Sequence, residues 1–187
     1  MKCFSLLVLL ILPLTAFAQE KTNEDITRQI RQLGVDKITL TFDQPSNMSK
    51  VMAVSENFSN RDADAAGVQA INFAMGFFYP GTSLKRSPET IHFSFWVLTK
   101  KPRFAEAHHL TVDLDGRTLD LGDARYAAKP RQNLEYLNFE LKRSDLAAIG
   151  LSSKATFRFG TTSFSSTASQ LKLIKATMEL ADSTNLN

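Results

Sequence analysis

The chain has 187 residues, with 22 Lys and Arg against 19 Asp and Glu, a formal net charge of +3 and a single cysteine. So small a positive excess makes no case for nucleic acid as a partner, and one thiol cannot build a disulfide framework. Stability must come from a packed apolar core, which a chain of this length can form as one domain.

The N-terminal stretch MKCFSLLVLLILPLTAFA has the form of a secretory signal peptide. Lys2 supplies the positive start, residues 4–14 form an apolar run broken only by Ser5 and Pro13, and Ala16-Phe17-Ala18 is an A-x-A cleavage site before Gln19. The run is about half the ~20 residues that a membrane-spanning helix needs. Cys3 precedes the run, so it is not placed to carry a lipid after cleavage. The expectation is a signal peptide over residues 1–18 and one β-rich domain over 19–187. That domain would be exported to the periplasm or secreted, and would be disulfide-free, without a transmembrane anchor and one positive charge poorer.

Beyond this segment, Ile26, Ile30 and Leu33 recur on one helical face and Gly34 follows as a helix stop, which predicts a short helix over 24–33. Alternation predicts strands over 35–42 and 50–58, the second after a Gln44-Pro45-Ser46-Asn47 turn. Residues 60–67 (NRDADAAG) read as a polar loop. Their Asp-x-Asp resembles the opening of a calcium loop but lacks the Gly and Glu that would complete one. Residues 68–79 (VQAINFAMGFFY) alternate at Ile71, Phe73, Met75, Phe77 and Tyr79 and read as a strand.

The clearest strand is 90–99, with Ile91, Phe93, Phe95 and Val97 on one face and His92, Ser94, Trp96 and Leu98 on the other. A hairpin over 109–121 turns at Asp115-Gly116. Residues 134–141 form a strand, and Ser144 is placed to cap one helical turn that Gly150 closes. A second hairpin joins 155–159 to 162–164 around Gly160. The longest helix begins at Ser166 or Ser169 and runs to Ala181, with Leu171, Ile174 and Met178 on its apolar face.

Little of this chain announces chemistry. There is no G-x-S-x-G, no glycine-rich phosphate loop and no thiol after residue 18, and the acidic residues fall mostly at turns and strand ends. No catalytic residue and no cofactor is therefore assigned. A metal site would have to join His92 to His108 or His109, with Asp113 or Glu106, although no ligand spacing signals it. Adjacent His108 and His109 would point to opposite faces of a strand. The aromatic side chains that alternation allows to lie off the core are Phe78, Tyr79 and Trp96, which could line a surface for a ligand or partner.

Three C-terminal stretches carry a resemblance: LTVDLDGRTLDLG (110–122), SDLAAI (144–149) and FRFG (157–160), followed by a helix opening in Ser and Thr. Over residues 110–180 this is similar to uncharacterised exported bacterial domains. The resemblance implies a topology and brings no site residue. The predicted fold is α+β and mostly β: an antiparallel sheet or sandwich packed by a C-terminal helix, with a short N-terminal helix. The expected role is non-enzymatic binding of an unidentified protein or small ligand in the cell envelope. The alternative is a hydrolase or metal-dependent enzyme using His92 with His108 or His109.

Overall fold

A computed structural model describes residues 20–183, so the expected signal peptide lies outside the described residues. In chain order the elements are β1 (Lys21–Thr22), α1 (Asn23–Leu33), β2 (Ile38–Asp43), β3 (Met48–Val54), α2 (Asn60–Ala66), β4 (Ala70–Pro80), β5 (Ser83–Leu84) and β6 (Thr90–Leu98). They continue with β7 (His109–Leu114), β8 (Arg117–Asp123), β9 (Arg125–Lys129), β10 (Leu134–Lys142), α3 (Arg143–Leu151), β11 (Ala155–Phe159), β12 (Thr162–Ser165) and α4 (Ala168–Ala181). No helix among the described residues is long and apolar enough to cross a membrane.

Two antiparallel sheets carry the architecture. The larger has six strands in the order β2-β3-β4-β6-β10-β9, and the smaller four in the order β12-β11-β7-β8. A two-stranded ladder joins β1 to β5. The fold is α+β and mostly β, with the C-terminal helix packed on the sheets, as predicted.

Register explains why the sheets stack. Phe73 pairs with Phe95 across β4 and β6, and Phe93 with Phe139 across β6 and β10, so the phenylalanines share one face of the large sheet. Phe157 and Phe159 point from the small sheet into the same layer. Phe95 meets both edge-on, at ring-centroid distances of 5.4 and 5.0 Å, which is the geometry the aromatic quadrupole favours. Phe58, Phe104 and Phe164 close the ends of this cluster. Helix α4 lies against α3, α1 and β4 and is buried on nearly every side except at residues such as Lys172 and Lys175.

Local chemistry sets the helix ends. Thr22 and Asp25 form a reciprocal capping box at α1, and Gly34 ends the helix in the left-handed conformation. Thr167 and Gln170 repeat the box at α4, so the cap is Thr167 and not Ser166 or Ser169. Lys142 precedes α3 without a side-chain cap, and Gly150 lies inside that helix instead of closing it. A Cβ there would come within 2.8 Å of the Lys175 backbone nitrogen, so glycine lets α3 and α4 approach closely.

Three further readings are corrected. Residues 60–67 are not a loop: Ser59 caps α2 by accepting from the Asp62 amide, and Ala63 and Ala66 are buried. Asp62 in turn accepts from the Ser165 amide at 3.1 Å, covering an otherwise open edge at β12. The strand expected over 50–58 ends at Val54. Residues 125–129 (RYAAK) lack apolar alternation and yet form β9, an edge strand held by pairing to β10.

Candidate ligand-binding face

The inner face of the large sheet is filled by the aromatic core. On its outer face, Phe78, His92, Trp96 and Leu98 are exposed, with Phe78 at 43% and Trp96 at 38%. These residues are out of phase with the buried set on the same strands, so strand alternation alone turns them outward.

Small side chains between the rings leave a trough of about 340 Å³. Its floor is Ala74 and Ser94, its ends are His92 and Trp96, and Met52 and Arg125 flank it. Beside Ala74 on the same strand, Gly76 pairs with both Met52 and His92. A Cβ on Gly76 would come within 2.2 Å of the Val51 carbonyl and 2.6 Å of the Met52 sulfur, so only glycine lets Met52 lie where it does.

The polar groups of the trough are partly satisfied. Ser94 donates to Asn138 Oδ1 at 2.8 Å, and Asn138 Nδ2 donates to the Arg125 carbonyl at 3.1 Å. Arg125 pairs with Glu140 at 2.9 Å. The His92 ring meets Phe78 edge-on at 5.2 Å. At one end Lys50 lies over Phe78, at 5.5 Å; at the other Lys129 lies over Tyr136, at 5.2 Å, and Tyr136 abuts Trp96.

Tyr79, named with Phe78 and Trp96 from sequence, faces the other way. It is 4% exposed and in phase with Phe77. Its hydroxyl donates to Asn23 Oδ1, and burial pushes its pKa up to about 12. Lys50, Met52, Arg125, Tyr136 and Asn138 were not singled out from sequence. Tyr136 was legible by alternation in 134–141, whereas Arg125 required knowledge of β9.

The histidines are dispersed. His92 lies on the outer face of the large sheet, paired with Gly76 and Glu140. His108 stacks on Tyr126, and its Nδ1 contacts the Ala105 carbonyl at 3.0 Å. Tyr126 is in register with the buried Leu137, which places His108 on the opposite side of that sheet from His92. His109 is held between Asp123 on Nδ1, at 2.8 Å, and Asp120 on Nε2, at 2.9 Å. Two carboxylates three positions apart reach one imidazole because the β7–β8 pairing skips Leu121, a bulge that turns both acids to the same side.

Hydrogen bonding to Asp123, aided by the charges of both acids, raises the His109 pKa. A ring that donates from both nitrogens has no lone pair for a metal. Asp113 is engaged by Arg158 and Thr118, and these hydrogen bonds hold its carboxyl below the usual range. Among the described residues, no three His, Cys, Asp or Glu side chains gather as a metal site.

Two buried ionisable groups have structural partners. Glu135 accepts from the Arg103 and Phe104 amides and from the Tyr126 hydroxyl, pinning the 99–108 loop to β10. Burial, then the bond to Glu135, pushes Tyr126 up to about 12. Lys21 donates to the Glu179 and Leu180 carbonyls at the end of α4 and to Gln29, and burial lowers its pKa. A second depression of about 300 Å³ lies between α3 and α4, but Arg143 and Asp182 on its rim face each other at 3.8 Å.

No protein-family model, curated protein or solved structure matches this chain.

Proposed function

We propose that the protein is exported into the cell envelope and acts there as a non-enzymatic binding protein, with the outer face of the six-stranded sheet as its working surface. The observation that carries this reading is that Phe78 and Trp96 stand exposed on a sheet whose other face is packed with phenylalanine. Exposed aromatic rings set at the two ends of a trough with polar groups between them offer a ligand both apolar and hydrogen-bonding contact. Ser94 supports binding over catalysis, because its hydroxyl donates to an amide and not to a base. The dispersal of His92, His108 and His109 gives no observation in favour of the hydrolase or metal-enzyme alternative.

Two measurements test the reading. Expression of the full chain in a bacterial host should yield protein that begins at Gln19 and is released by osmotic shock. Intact residues 1–18 on cytosolic protein would end the export claim. The double variant Phe78→Ala/Trp96→Ala should retain its circular dichroism yet lose co-sedimentation with washed envelope. Undiminished co-sedimentation would remove the face from the argument.

A further inference from the structure

The trough has a chemistry that selects among ligands. On the outer face of the large sheet, Lys50, Arg125, Lys129 and Lys142 stand against Asp43 and Glu140. Glu140 is engaged by Arg125, and Asp43 takes the Ser46 hydroxyl. Positive charge is therefore left over, anchored above an aromatic ring at each end. Hydrogen-bonding capacity is left over too. Ser94 retains acceptor lone pairs, Asn138 a second amide hydrogen, and Arg125 the donors not directed at Glu140.

His92 and Trp96 are four residues apart on one face of β6, so the polar floor between them runs roughly 13 Å. An open strip floored in part by Ser94 and Asn138 offers neither an enclosed apolar channel for an acyl chain nor a glycine-rich cradle for a phosphate. It does offer what a pyranose needs: an exposed aromatic ring for the apolar sugar face, single-hydroxyl partners beside it, and cations for a carboxylate.

We propose that this trough binds a short acidic oligosaccharide, with a sugar ring on Trp96, hydroxyls at Ser94 and Asn138, and a carboxylate at Lys129, which lies over the Tyr136 ring beside Trp96. The assignment rests on the binding-face reading above and gives that face a ligand class.

Trp96 is the only tryptophan of the chain, so its fluorescence reports the site directly. Protein obtained from the full chain is titrated with trimers of galacturonate, glucuronate and mannuronate, and with their carboxyl-reduced counterparts. At least one acidic trimer should give a saturable change, with its neutral counterpart binding roughly tenfold more weakly, about the value of one charge-assisted contact. Lys129→Gln, with unchanged circular dichroism, should erase that difference.

Equal binding of acidic and neutral trimers would overturn the acidic assignment. Silence from every trimer at millimolar concentration would overturn the sugar. If the double variant nevertheless loses the envelope fraction, the binding face survives without its sugar. If the variant stays with the envelope, both readings fall.

Discussion

The two faces of β6 have the same backbone and opposite fates. Ile91, Phe93, Phe95 and Val97 are sealed between the sheets, while His92, Ser94, Trp96 and Leu98 face outward one residue out of phase. The inner set is held by many rings in mutual contact, so its identity is a packing requirement. The outer set has fewer neighbours and freer chemistry. Tolerance to substitution should therefore separate residues that specify the fold from those available to a ligand.

The largest expected effect is on the inner face. Phe95→Ala removes a ring that touches five others and should cost about 3–5 kcal/mol in urea unfolding. A loss below 1 kcal/mol would show that the two faces do not differ as described. Gly76→Val comes next and sharpens the contrast, because this position belongs to the outer face yet abuts backbone. The new Cβ would collide with the Val51 carbonyl, and about 1–3 kcal/mol should be lost.

Trp96→Ala should cost about 1–2 kcal/mol, less than Phe95→Ala, since 38% of Trp96 is exposed while Phe95 is sealed. A larger loss would make Trp96 a structural residue. The smallest effect concerns His109 on the small sheet. Its pKa is raised in the folded protein, so its contribution is fully present below the unfolded value and is lost as pH rises through the folded one. Urea midpoints of wild type and His109→Asn should differ more at pH 5.5 than at pH 9, and a ring titrating by NMR below the ordinary histidine value would contradict the geometry.

Much of this contrast was legible in the sequence where period and composition agree. Residues 90–99 and 68–79 carry large apolar side chains at every second position, so both strands and their buried faces could be read. The Asp115-Gly116 and Gly160 turns were equally plain. Strand β9 was not legible, because an edge strand takes its conformation from pairing with β10 and needs no apolar code of its own. Helix α2 hid for a related reason: it buries only two alanines, and its acidic residues imitate a loop.

The candidate site was half legible. Phe78 and Trp96 stood out by phase, whereas Met52, Asn138 and Arg125 meet them only through the strand order. The His109 cluster depends on a bulge, which leaves no mark in local composition.

Lys21 fastens the first described strand to the last turn of α4, and neighbouring Asn23 holds Tyr79 on the inner side of the large sheet. The two ends of the described chain therefore leave from one corner, behind the face that carries the exposed rings. That arrangement suits immobilisation: protein coupled to a sensor chip or bead through either end should present Trp96 to the solution in the same orientation.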